Sequence, residues 1–567
     1  MIRKFLLFGL ATLVLVACGK DEAEQAAESA SVGSSNQLDS NVLFERIDAD
    51  TIYLAANLET LPDDLVDRFL EPLAAMGQFN AHNYGKLADE AESESPLIAA
   101  MLRELGQIDG REAIEQRGIS SNGFWAMHAV SIYPMAHIQL VDVAAFEAML
   151  ERVAAESGSP LPTRVIDNEE IIWVPRDDFG VAIHHDEHFA TFALVPDNDI
   201  LLRRVANLDQ PAQAYDSSDL TDFNAERDYS PHGSGFFEFA GLVERLMDAD
   251  DELIAPGRTA LDLNALVGDE VCRSELNRLF EIFPRISAGG TEISNQRVDA
   301  RMVFETESAM ADRLVPIGQT PVGLRSGETT VLSGGVAFDL VAARDFAREV
   351  VAGWVDSPPQ CGLFAEIANN ASGWQQALNQ PIPPVVTNIR GFRFNLSQLD
   401  LQGGMNVENA AGTLALFVRN PQMLLGMAQM FSPELAALEL KVNGEPQPLP
   451  AGLIPNMPNL PAFIALGDAA IGLAVGEGEK DGLSSALASQ ESDSAIMGYT
   501  IDIAGYGQLM EKMMAMVAEN SEGDIDEEEL PPADFMSRLG EFYDESSVFV
   551  NLTSQGIVIS SSTTMKP

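Results

Sequence analysis

The stretch Val181–Leu208, VAIHHDEHFATFALVPDNDILLRRVANL, narrows the fold more than any other. Two apolar runs of strand length flank a polar break, and Ile200, Leu201, Leu202, Val205 and Leu208 then recur at helical spacing. This predicts strand, tight turn, strand, helix. A hairpin and the helix that follows it bury their apolar faces together only when the helix lies on the sheet. The same grammar recurs in Phe463–Leu487, FIALGDAAIGLAVGEGEKDGLSSAL, which predicts one unit used twice.

The remaining elements fall into two parallel series. The first opens with a strand at Thr51–Ala56 and a helix started by Pro62-Asp63-Asp64, continues through a helical insertion to about Gln116, and then a hairpin from Trp125 to Val141. A helix carrying Phe146 and Leu150 follows, then a strand over Arg164–Val174, the hairpin and helix above, and Gly235–Phe239 running into GLVERLM. The second series begins at Thr330 and passes through the helix VAARDFAREVV and the strand Leu414–Val418 to a helix with Leu424 and Leu425. It ends with Tyr499–Ile503 entering the methionine-rich GYGQLMEKMMAMV and two closing strands, VFVNL and GIVIS.

Ile52 pairs with Val331, Phe146 with Leu424, Leu201 with Leu483 and Phe237 with Ile501, at offsets of about 280 for the first three and shorter for the last, as a loop deletion would produce. The expected architecture is α+β: two tandem related halves, 44–320 and 321–567, each an antiparallel sheet with helices on one face. Pro321 and Gly323 mark the junction.

Charge excludes whole classes of partner. Lys and Arg number 34 against 86 Asp and Glu, a formal net charge of -52. Nucleic acid and bare anionic lipid are repelled unless a basic patch gathers, and Arg203-Arg204 is the densest basic pair beyond the N-terminus.

The N-terminus supplies an address. Arg3 and Lys4 precede an apolar run from Phe5 to Val16, which is short for a membrane span but of the length found in export signals. Leu15-Val16-Ala17-Cys18 resembles the lipobox of bacterial lipoproteins. That resemblance implies a signal peptide over 1–17, cleavage before Cys18, and acyl chains (palmitate among them) on its thiol and new amino group. Several such chains hold a protein to a membrane almost permanently, at about 0.8 kcal/mol per buried methylene. Gly19, where the family rule for inner-membrane retention wants Asp, implies the outer membrane, with the body in the periplasm. Residues 18–43, rich in Ala, Ser, Glu and Gln, read as a flexible tether reaching on the order of 25 to 30 Å.

Cys272 and Cys361, one per half, are the two cysteines left in an oxidising compartment, and a disulfide between them is expected. His184, His185, Asp186, Glu187 and His188 form the one cluster with metal-ligand residue types, with His184, His188 and Asp186 as candidate ligands for a divalent ion. The helical HExxH spacing is absent and the second copy has Leu466-Gly467-Asp468-Ala469-Ala470 there, so a solvated turn is the competing reading.

Asp248, Asp250, Asp251 and Glu252, and Asp524, Asp526 and Glu528, lack the spacing of a calcium-binding EF-hand. His232-Gly233-Ser234-Gly235 fails the GxSxG pattern and precedes a strand where a nucleophile elbow follows one. No catalytic residue and no cofactor is assigned. Three functions remain open: a non-enzymatic binding or envelope-assembly module with an envelope protein or lipid as partner, a lipid or hydrophobic-ligand carrier using a sheet face and the Met510–Met516 helix, and a metal-dependent hydrolase centred on the histidine turn.

Overall fold

The computed structural model describes residues 38–567 except 94, 177, 249, 326–330, 403–405, 451–452, 454–459, 489–493 and 521–534. The signal sequence, Cys18, most of the tether and the acidic group Asp524, Asp526 and Glu528 therefore lie outside the described residues. The chain divides into two compact units, one ending at Met302 and the other running Val303–Lys566, so the division falls before Pro321.

The first unit contains β1 (Tyr53–Ala56), α1 (Asp63–Glu92), α2 (Pro96–Gly106), β2 (Trp125–Val130), β3 (Tyr133–Gln139) and α3 (Val143–Ser157). Next come β4 (Thr163–Ile166), β5 (Glu169–Arg176), β6 (Phe179–His185), β7 (Phe189–Pro196), α4 (Asp199–Val205) and α5 (Ser217–Arg227). The unit closes with β8 (Ser234–Glu238), α6 (Phe239–Met247), α7 (Glu270–Ile282) and β9 (Arg285–Ile293), and β10 (Arg297–Glu305) leads across the division. Neighbours pair antiparallel in the order β4-β5-β6-β7-β3-β2-β1-β8-β9.

The stretch read as a single strand over 164–174 is a hairpin. Asp167 and Asn168 both adopt positive φ, 50° and 75°, which short polar side chains tolerate and a two-residue turn of this hand requires.

Helices cover both faces of this sheet, which corrects the one-face expectation. Ala182 and Ala193 pack with Leu201, Leu202 and Val205 of α4. Ile183 and Ala190 point the other way, as alternation demands, and pack with Phe146 and Leu150 of α3. Strands β6 and β7 are apolar on both sides, so a single layer of helices would leave one side wet.

The second unit contains β11 (Leu332–Ala337), α8 (Leu340–Asp356), α9 (Ala365–Leu378), β12 (Ile389–Gln402), β13 (Asn406–Val418), α10 (Pro421–Phe431) and α11 (Pro433–Ala436). It continues with β14 (Gln447–Pro448), β15 (Ala462–Leu466), β16 (Ala470–Val475), α12 (Leu483–Ala486), β17 (Ala495–Asp502), α13 (Ile503–Asn520), α14 (Phe535–Phe542), β18 (Tyr543–Thr553) and β19 (Gly556–Met565). These strands too are antiparallel, in the order β14-β15-β16-β13-β12-β11-β17-β18-β19.

One face of the second sheet packs Ala415, Phe417, Phe463, Ala465 and Ala474 with Leu483 and Leu487. Into this face Arg393 projects, buried, and its guanidinium donates to the carbonyls of Val322, Gly323, Ser485, Ala486 and Ala488. One side chain thus fastens the segment at Val322-Gly323 and the C-terminal end of α12 to the sheet, satisfying backbone acceptors that the core would otherwise strand. Cys272, in the first turn of α7, and Cys361, shortly before α9, are buried and disulfide-bonded as expected.

Candidate functional site

The histidine turn joins β6 to β7, but its side chains do not converge. Asp186 accepts from the backbone N–H groups of His188 (2.9 Å) and Phe189 (3.0 Å) and pairs with the Arg46 guanidinium at 2.8 Å. Burial works to raise this carboxyl, yet the two N–H donors and Arg46 outweigh it and hold it below the usual range. His184 lies 3.7 Å from Glu169, His185 3.7 Å from Glu147, and His188 3.4 Å from Glu187, so each imidazole faces a different carboxylate. Among the described residues no group of three or more His, Cys, Asp or Glu side chains could hold a metal ion.

The other sequence candidates also resolve into structural roles. Asp248 and Asp251 cap their own loop by accepting from the N–H groups of Asp250 and Leu253, while Arg258 binds the Asp248 carbonyl. Ser234 begins β8 directly after the turn at Pro231-His232 and is buried, so its hydroxyl does not stand at a strand-to-helix elbow.

The sequence reading missed a buried histidine pair. His128 on β2 and His137 on β3 stack at 5.2 Å between ring centroids and meet through their Nε2 atoms at 3.1 Å. A carbonyl only accepts, so His128 Nδ1 donates to Ala129 O at 3.3 Å and its Nε2 must accept. His137 Nε2 then donates, and its Nδ1 accepts from the Thr191 hydroxyl at 3.0 Å. Both rings are neutral. Burial pushes His128 down to about 3, and burial, His128, Arg46 and Arg204 push His137 well below the ordinary value. The signal available was two histidines on one face of a hairpin, flanked there by Ala126, Val130, Tyr133 and Met135.

A cleft of about 700 Å³ in the first unit has Tyr215, Phe223 and Phe236 among its lining, ringed by carboxylates such as Asp219, Asp222 and Glu244. Its own arginines already use the aromatic floor: Arg227 lies 4.2 Å from the Phe223 centroid, and Arg285 sits over both Phe223 and Phe236 while pairing with Glu238. The cleft is thus largely satisfied from within.

The second unit differs. On the sheet face opposite Arg393, register places Ile471, Leu416, Phe392, Val336, Met497 and Val550 in one row across six strands. The adjacent row is Leu473, Leu414, Phe394, Gly334, Tyr499 and Val548. Neither row holds a charged side chain, in a chain of net charge -52. Phe392 is 37% exposed, Leu414 41%, Tyr499 47% and Met497 52%, so the centre of this face is open. Helix α13 packs against β12, β17 and β18, tied by Lys512 to Asp400 at 2.6 Å, with Met510, Met513 and Met514 half-buried. The sheet face and the methionine helix named in the sequence reading therefore adjoin the same strands.

No described helix is long and apolar enough to cross a membrane. Among known proteins, no family model, no curated sequence and no solved structure matches the chain.

Proposed function

We propose that this chain is an outer-membrane-anchored envelope lipoprotein, made of two copies of one α+β unit, that binds acyl-chain lipid on the open sheet face of its second unit and catalyses no reaction. Acyl chains on Cys18 hold it to the membrane, and its body stands in the periplasm.

Duplication is supported by connectivity. The order β5-β6-β7-β3-β2-β1-β8-β9 runs parallel to β14-β15-β16-β13-β12-β11-β17-β18. Hydrogen bonds at strand ends match as well. Glu238 N donates to Ile52 O at 2.8 Å and Asp502 N to Val331 O at 3.1 Å, while Leu140 N to His188 O and Val418 N to Ala469 O are both 2.8 Å. Asp142 caps α3 through Ala145 N, and Asn420 caps α10 through Met423 N.

The observation that carries the binding reading is the pair of uncharged apolar rows with four large side chains left open. Full burial of a side chain of this kind is worth about 1.5 to 3 kcal/mol, so a flat apolar ligand gains several kcal/mol by covering the four. Rows of this width exceed what scattered surface apolar residues require.

Titration of the chain from residue 18 onward with a fluorescent fatty acid tests it. Saturable binding that L414E/M497E weakens about ten-fold, with an unchanged unfolding curve, is the expected result. Equal binding by the variant, or none by the parent, refutes the site.

A further inference from the structure

Helix α10 turns one side to the second unit and the other to solvent. Pro421 and Leu425 are buried and hold it to the body. Met423, Met427, Met430 and Phe431, spaced i, i+4, i+7 and i+8, project from the opposite side within an arc of about 100°. Met430 is 81% and Phe431 85% exposed, more than any other large apolar side chain among the described residues. From Asn420 to Pro433 there is no charged residue, although the chain carries 86 Asp and Glu.

The tip is also held in place. Gln429 Nε2 donates to Leu435 O at 3.1 Å and Leu438 O at 3.4 Å, fixing the corner between α10 and α11 directly beside Met430 and Phe431. Asn420 Oδ1 caps the other end by accepting from Met423 N at 2.9 Å.

We propose that α10 is a second, reversible membrane contact, which inserts Met430 and Phe431 into the interface of a bilayer with little negative charge. Charge selects this occupant. A helix with an apolar stripe and an uncharged polar side, here Gln422, Gly426 and Gln429, binds by apolar insertion alone and is drawn to neutral, loosely packed lipid. Anionic lipid repels the surrounding carboxylates of a chain at -52. The inference rests on the lipoprotein reading for the presence of a bilayer within reach, since a chain tethered at Cys18 stays close to one.

The test uses the chain from residue 18 onward carrying C18S, so that no acyl group contributes, and follows its flotation with vesicles of phosphatidylcholine alone or rich in phosphatidylserine. Flotation is expected with the neutral vesicles, reduced by phosphatidylserine, and lowered about ten-fold by M430E/F431E. Both side chains face solvent, so the variant keeps its unfolding curve and still binds fatty acid at the sheet face. A parent chain that fails to float, or a variant that floats equally well, overturns the inference. So does a dimer seen in sedimentation that F431E dissolves without any vesicle binding, because a second copy is then the occupant. Loss of fatty-acid binding with flotation retained instead removes the sheet-face site and leaves α10 standing.

Discussion

Acid should loosen the first unit through His128 and His137. Each imidazole is neutral and buried in the fold but free to take a proton near pH 6.5 once unfolded, so the unfolded chain binds more protons as pH falls below that value. Stability present at neutral pH is therefore lost as pH drops from about 6.5 toward 3. The slope is about 1.4 kcal/mol per pH unit for each proton, so at pH 4.5 the pair costs about 5 kcal/mol. The proposed duplication suggests the control, because it matches Asn395 and Ala415 of the second unit with His128 and His137. Urea unfolding of the first unit can be followed by Trp125 and Trp173 after W354F/W374F. Between pH 7 and pH 4.5 the parent should lose about 5 kcal/mol more than H128N/H137A, whatever the variant costs at neutral pH. Equal pH dependence in the two proteins would refute neutral, uncompensated burial of the pair.

Three further outcomes are expected. Replacing both cysteines, C272S/C361S, should lower stability by about 2 to 4 kcal/mol, and non-reducing peptide mapping of the parent should return the two cysteine peptides joined. R393M leaves several buried carbonyls without their donor and should destabilise the second unit by about 3 kcal/mol or more, with R393K recovering part, both read by Trp354 and Trp374 fluorescence. N420A removes the α10 cap and should cost about 1 kcal/mol in the same assay.

Much of the architecture was legible because alternation and helical spacing are local signals. The hairpin β6–β7 and helix α4 were read from apolar spacing alone, and Asp339, entering α8, caps it by accepting from Val341 N and Ala342 N. Strand β9 was overlooked because Ser287, Gly289 and Gly290 dilute its pattern, while β12 was overlooked although Phe392, Phe394 and Leu396 alternate cleanly. The turn inside 164–174 hid in Asp167-Asn168, which lacks the glycine that usually announces such a turn.

Site chemistry was harder to see, since it depends on side chains that only strand register or a segment distant in sequence brings together. Asp186 looks like a ligand until Arg46, far away in sequence, is placed 2.8 Å from it. His128 and His137 carry no motif and meet only through the β2–β3 register. The openness of Phe392, Leu414, Met497 and Tyr499 depends on which face the helices leave uncovered, and periodicity marks a face as apolar without telling whether anything covers it.

Photocrosslinking in the native envelope tests the proposed lipid-binding face most directly. A photoreactive amino acid replaces Tyr499, cells are irradiated, and the adduct on the isolated protein is weighed. The expected result is a mass increment of an acyl-chain lipid that disappears when L414E is added. Adducts to protein alone, or a lipid adduct that L414E leaves unchanged, would contradict a lipid site on the second sheet.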